Sequence, residues 1–208
     1  MSVTTVAAFD FDETLTKRDT VVPFLRRFTT SRRFAVSLLP HTLRLLPIAT
    51  RRDRDRLRAL ATDIVFRDRP IEGVDAEAAS WGVTIAETLM RADTVARLQW
   101  HLAQDHRVVI VTASYEQYVR VVADVLGGVE VAGTRLEVVD GRCTGRLDGP
   151  NCRGPEKVRR LDEWLAGHGW CRDEVTLYAY GDSTGDRELL AAADHPHWVT
   201  APLASVAP

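Results

Sequence analysis

From Val3 to Phe9 the chain runs β-branched or apolar without a break, then meets the acidic stretch Asp10-Phe11-Asp12-Glu13. A strand with no polar face is one covered on both sides, the habit of parallel sheets sandwiched between helices. Two later runs end in the same way. Arg107–Val111 (RVVIV) leads into Thr112-Ala113-Ser114, and Val175–Tyr180 (VTLYAY) leads into Gly181-Asp182-Ser183. In open parallel sheets ligands bind beyond the carboxyl ends of the strands, so the three runs bring Asp10, Thr112 and Asp182 to one edge.

The segments between these strands fill in the rest. From Thr20 to about Met90 the pattern is helical, with Ser31, Asp53 and Asp75 as expected N-caps and Pro70 and Gly73 marking a turn. A helix capped by Asp93 or Thr94 precedes Arg107, and Tyr115–Leu126 follows Ser114 as another. Val129–Ala132 is strand-like, and Thr134–Leu147 reads as a hairpin turning at Asp140-Gly141. Pro155 opens a helix to Leu165, a further helix spans about Asp186 to Ala192, and His197–Thr200 is a last strand after a turn at His195-Pro196-His197. Strands alternating with helices imply an α/β fold with a Rossmann-like parallel sheet. The long helical block after the first strand implies an inserted cap. The expected division is a core of residues 1–20 and 92–208 with a helical cap at 21–91.

With 208 residues, 45% hydrophobic and 27% charged, the chain suits one core with a modest insertion. A formal net charge of −2 gives no field to draw in nucleic acid, so no nucleic-acid partner is expected. Cys143, Cys152 and Cys171 are odd in number and fit no zinc spacing, and no signal peptide precedes the first strand, which together point to the cytoplasm. The most apolar stretch, Phe34–Ala49, is short and interrupted by Pro40, His41, Arg44 and Pro47, so no transmembrane segment is expected. Peripheral membrane contact and oligomeric state stay open. Of the 27 basic residues only Lys17 and Lys157 are lysine, so each of the two invites inspection.

Asp10 and Asp12 leave one strand two residues apart, and Asp182 and Asp186 leave another. Four carboxylates around one cleft repel one another and resist ionisation unless a cation joins them. A hard divalent ion relieves that, and Mg²⁺ is the first choice for oxygen ligands shared with a phosphate.

Four segments in order, Asp10-Phe11-Asp12-Glu13-Thr14, Val109–Ser114, Lys157 within GPEKVRRL, and Gly181–Asp186 (GDSTGD), resemble the four motifs of the haloacid dehalogenase-like phosphohydrolases, in the phosphoserine-phosphatase-like branch. The resemblance implies Asp10 as nucleophile and Asp12 as general acid and base. It implies phosphate contacts from the Thr112 hydroxyl, the backbone at Ala113 and the Lys157 ammonium. Mg²⁺ would be held by Asp10, Asp182 and the backbone carbonyl of Asp12, with Asp186 orienting the metal shell.

In phosphoserine phosphatases a cap acid meets the substrate ammonium, and Asp19 falls at that position. Aligning on Pro70-Ile71-Glu72 puts Thr62 where those enzymes carry a carboxylate-binding arginine, so phosphoserine is expected to be a poor substrate unless Arg58 or Arg67 substitutes. The stretch PFLRRF followed by SLLPHTLRLLPIA is also similar to the cap of a bacterial phosphatidylglycerophosphate phosphatase of this branch. Leu38, Leu39, Leu43 and Leu46 at helical spacing read first as packing between cap helices. The expected activity is Mg²⁺-dependent hydrolysis of a small phosphomonoester of the amino-alcohol, amino-acid or sugar type, through an aspartyl-phosphate. The alternatives are a lipid phosphatase, phosphoryl transfer to another acceptor, and a phosphate-binding regulatory module without turnover.

Overall fold

The computed structural model describes residues 4–29 and 54–203. Its central sheet has five parallel strands in the order β3-β2-β1-β6-β7. They are β1 (Thr4–Phe9), β2 (Arg107–Tyr115), β3 (Glu130–Thr134), β6 (Val175–Gly181) and β7 (His195–Trp198). Helices α1 (Val21–Arg26), α2 (Arg54–Phe66) and α3 (Ile71–Thr88) belong to the block after β1. Helices α4 (Ala92–Ala103), α5 (Glu116–Val125), α6 (Pro155–Gly167) and α7 (Arg187–Ala191) alternate with the strands. A separate antiparallel pair, β4 (Leu136–Val139) and β5 (Arg142–Leu147), forms the hairpin. Asp140 (φ 49°) and Gly141 (φ 73°) both turn through left-handed backbone, as a two-residue hairpin turn requires.

The period of two along β1 divides the core. Val6 and Ala8 face one side with Val109, Val111, Leu161, Leu165 and Leu189, under α6 and α7. Ala7 and Phe9 face the other with Ile110, Leu98, Tyr118 and Val122, under α4 and α5. All four β1 side chains are fully buried, which is why the segment reads as one apolar run. Burial of a side chain the size of Phe9 stabilises by about 1.5–3 kcal/mol.

Helix α3 packs on α5 at unusually close range. A Cβ on Gly82 would stand 2.6 Å from the Val121 Cβ and 2.9 Å from the Tyr118 carbonyl oxygen, so only glycine fits without moving a helix. At its start the turn between α2 and α3 bonds through its backbone to the hairpin. Asp68 N–H donates to Cys143 O, Cys143 N–H to Arg69 O, and Ile71 N–H to Gly141 O, each at 2.9 Å.

Several sequence expectations change. Asp75 lies on the exposed face inside α3, whose N-cap is Pro70, and Gly73 is within the first turn rather than in a loop. The N-cap of α4 is Arg91; Thr94 is buried and donates to Thr14 O at 2.8 Å. Strand β2 continues through Thr112 and Ser114 to Tyr115, because those hydroxyls are satisfied at the site instead of facing water. His195-Pro196-His197 is not a turn but most of β7, an edge strand, where a proline is tolerated. Ser31, Asp53 and the stretch Phe34–Ala49 lie outside the described residues. Among the described residues no helix is long and apolar enough to cross a membrane.

Candidate active site

The chain leaves β1 with Asp10 N–H on Tyr180 O at 2.8 Å, so the exits of β1 and β6 are tied side by side. Phe11 turns into the core, and the backbone folds back at once, Leu15 and Thr16 donating to Phe11 O at 2.9 and 3.0 Å. Glu13 sits in left-handed backbone at φ 59°, an uncommon conformation for a residue with a side chain. This tight turn puts Asp10 and Asp12 at one mouth.

Asp10, Asp182 and Asp186 bring carboxylate oxygens within 4.8 Å of one another. Lys157, in the first turn of α6 and only 2% exposed, bonds through its ammonium to both Asp10 Oδ1 and Asp186 Oδ1. Asp186 is further held by the Ser183 N–H and hydroxyl, each at 2.9 Å, and Asp182 by the Thr14 hydroxyl at 3.2 Å. Asp12 turns away from this cluster. Its Oδ2 accepts from Ser114 Oγ at 2.6 Å and its Oδ1 from the Thr20 N–H at 2.9 Å and hydroxyl at 2.5 Å. Tyr118 Oη lies 3.0 Å from the Thr20 hydroxyl, continuing the chain into the core.

Electrostatics separate these acids. Burial pushes the Asp10 carboxyl up to about 7 against the pull of Lys157. Burial likewise lifts Asp12 to about 6, opposed by the hydrogen bonds from Ser114 and Thr20. Asp182 is raised by burial and by the charge on Asp186. Asp186 is the exception, since burial is overcome by Lys157 and Ser183 and its carboxyl is held below the usual range. Burial works against the Lys157 charge, but Asp10 and Asp186 more than offset it, and its pKa rises. One ammonium between two carboxylates, with a third close by, leaves the cluster short of positive charge.

These groups line a cavity of about 340 Å³, with Thr112 and Ala113 on the sheet side. The Thr112 hydroxyl accepts the Ser114 N–H at 3.0 Å. On the side of α1 and α2 the walls are Asp19, Arg54 and Arg58. Asp19 accepts the Val22 N–H at 3.0 Å. The Arg58 guanidinium lies over the Tyr115 ring, 5.2 Å from its centroid, and its buried Nη1 has no hydrogen-bond partner among the described residues. Thr62, one turn further along α2, is not in the cavity; its hydroxyl is buried against Tyr115 Oη and Arg58 O, both at 2.8 Å. Arg67 pairs with Asp63 and faces a neighbouring groove.

Sequence reasoning did not single out Ser114, Thr20, Asn151 or Arg153. Ser114 had a signal, being two residues from Thr112 and so on the same face of a strand. Asn151 donates to Asp55 Oδ1 at 2.7 Å and accepts from Thr134, joining α2 to the sheet side of the cavity.

Acids and a hydroxyl at the ends of parallel strands thus meet a buried lysine from α6 in one cavity. Residues 7–191 match the haloacid dehalogenase-like hydrolases, and the chain belongs to that family. Its fold is shared with solved phosphoserine phosphatases, among them an apo form at a TM-score of 0.60 and 18% identity, covering 91% of this chain and 83% of its own. Protein CicA of Caulobacter vibrioides is 37% identical over 190 residues, covering 91% of this chain and 83% of its own. A probable phosphatase of Mycobacterium tuberculosis is 27% identical over 208 residues, covering 92% and 67%. A substrate-bound phosphoserine phosphatase shares the fold with a TM-score of 0.61 at 17% identity, covering 93% and 84%. Phosphatases of this family generally use a divalent metal, and the oxygen-only donors Asp10, Asp182 and Asp186 with their shortage of positive charge fit one.

Proposed function

We propose that the chain hydrolyses small phosphomonoesters with Mg²⁺ as cofactor, through an aspartyl-phosphate on Asp10. The observation that carries this reading is the contrast between two neighbouring acids. Asp10 is clamped by Lys157 beside the acidic cluster, while Asp12 is aimed elsewhere and held by the hydroxyls of Ser114 and Thr20. A carboxylate set against an ammonium among metal-ligating acids suits the nucleophile, and one set against hydroxyls at the cavity mouth suits the proton carrier.

An Asp10 carboxylate oxygen attacks phosphorus, and the bond to the leaving oxygen breaks as Asp12 gives that oxygen its proton. Water then enters, Asp12 takes back a proton, and the acyl-phosphate bond opens to phosphate and free Asp10. The Thr112 hydroxyl, the backbone at Ala113 and Lys157 hold the phosphoryl oxygens. Mg²⁺, held by Asp10, Asp182, Asp186 and the carbonyl of Asp12, would supply charge for those oxygens. Residues 21–91 act as the cap that chooses the leaving group, over a core of 1–20 and 92–208. Arg58, which lines the cavity, meets an anionic group on the leaving group, and Asp19 meets an amine or hydroxyl. Arg67 would reach only a substrate that extends into its groove. Three free thiols fit a reducing cytoplasm.

A second reading, lysolipid phosphate, has one observation in its favour. An apolar groove of about 510 Å³ lined by Val21, Val22, Leu25 and Leu57 shares Asp19, Arg54 and Arg58 with the cavity. The test is phosphate release in Mg²⁺ from a panel of phosphoserine, sugar phosphates, histidinol phosphate and lysolipid phosphates, with Asp10→Asn as control. Turnover by Asp10→Asn would sink the covalent reading, and the best substrate decides between the two leaving groups.

A further inference from the structure

Arg153 is a cation without an acid. It lines the cavity from the loop that precedes α6, and the sole hydrogen bond of its side chain among the described residues is from Nη2 to the Thr184 hydroxyl at 3.3 Å. By contrast Arg120, Arg159, Arg160 and Arg172 each reach a carboxylate.

Its position is built. Gly154, in left-handed backbone at φ 60°, donates its N–H to Gly185 O at 2.8 Å, fastening the Arg153 loop to the loop that carries Asp182 and Asp186. Gly185 has no side chain at the point of contact. A Cβ there would stand 3.0 Å from Arg153 Nε and 3.1 Å from its Cγ, so the Arg153 side chain passes close across the glycine at the cavity wall.

Charge says what it is for. The buried ammonium of Lys157 is already divided between Asp10 and Asp186. A divalent cation and Lys157 together balance Asp10, Asp182 and Asp186, which leaves nothing for a phosphate dianion. Arg58 is on α2, on the side of the leaving group. Arg153 is anchored to the core, beside Lys157 and the acidic loop.

We propose that Arg153 is a phosphate-binding residue, its guanidinium holding an oxygen of the phosphoryl group while Asp10 attacks. The assignment rests on the phosphatase reading, and it adds a second charged contact from the core, beside Lys157, to the neutral ones of Thr112 and Ala113. Arginine suits the task, since its planar fork offers two donors to phosphate oxygens.

The experiment titrates inorganic phosphate into the Mg²⁺-loaded protein by calorimetry and follows turnover of p-nitrophenyl phosphate in parallel. Arg153→Ala weakens phosphate binding and lowers kcat/KM by about ten- to a hundredfold, the worth of a charge-assisted bond. Arg153→Lys keeps the charge and recovers part of both. Thr184→Val removes the one hydrogen bond of the Arg153 side chain and changes phosphate affinity less than about twofold, which separates binding from propping of the loop. If Arg153→Ala binds phosphate as tightly as the wild type, the proposal is wrong, whatever the turnover. If phosphate binding depends on Arg153 but no ester is hydrolysed, the subsite stands and the phosphatase reading falls.

Discussion

Replacing Asp12 by Asn separates what the site costs from what it does. The side-chain oxygen of Asn can keep both Thr20 donors, and its NH₂ can face Ser114 once that hydroxyl turns to accept. The shape is kept and the titration is removed. In the wild type, burial moves the Asp12 carboxyl from its ordinary 3.8 to about 6. The folded state therefore holds this proton more tightly than the unfolded state does. Its contribution to stability is complete below about pH 4 and is lost as pH rises through 6. Two pH units at ~1.4 kcal/mol each give about 3 kcal/mol as an upper bound, and partial exposure of the side chain brings this to about 1–3 kcal/mol. In EDTA, Asp12→Asn and wild type should unfold alike in urea at pH 4, and the variant should be the more stable by about 1–3 kcal/mol at pH 7.5. Its kcat with Mg²⁺ should fall about 10²–10⁴-fold, the usual worth of general acid–base help. A variant less stable than wild type at pH 7.5, or one with undiminished kcat, would refute the reasoning.

Chelation should silence the enzyme and Mg²⁺ should restore it, while Ca²⁺ should bind but restore little, because its looser coordination misplaces the nucleophile; full activity in EDTA contradicts the metal assignment. His101, buried with Nε2 2.9 Å from Tyr180 Oη, is pushed down to about 3 by burial and by the neighbouring His106 and Arg97. Its contribution is present above pH 6.5 and lost as pH falls, so His101→Gln should flatten the drop in Tm between pH 6.5 and 4, and identical profiles would count against it. Gly82→Ala should destabilise by about 1–3 kcal/mol in denaturant titration through the clash with Val121, whereas a neutral result would mean that α3 and α5 slide apart freely.

How far the sequence could be read depended on whether a residue's meaning is local. β1, the Asp140-Gly141 turn and the Pro155 helix start were legible, because an apolar run, a left-handed turn and a fixed φ act on their own neighbours. Asp10, Thr112 and Asp182 were legible because strand exits in a parallel sheet converge whatever lies between them, and Lys157 and Asp186 because the segments around them resemble the family's motifs. Thr112 and Ser114 misled because hydroxyls satisfied at a site look in sequence like a strand that has reached water. Arg58 and Thr62 are one helical turn apart, and only the facing of α2 decides which enters the cavity. Arg153 carried no mark at all among 25 arginines, since its place is set by a distant glycine.

Three of the bonds between the hairpin and the turn before α3 run from main chain to main chain. Such an attachment is indifferent to side chains. On the proposed division into core and cap, the helices facing the leaving group can exchange residue after residue while the cap stays moored to the core. Substrate preference in this architecture is thus free to drift without a matching change in the anchor, and two relatives with the same moorings need not share a substrate.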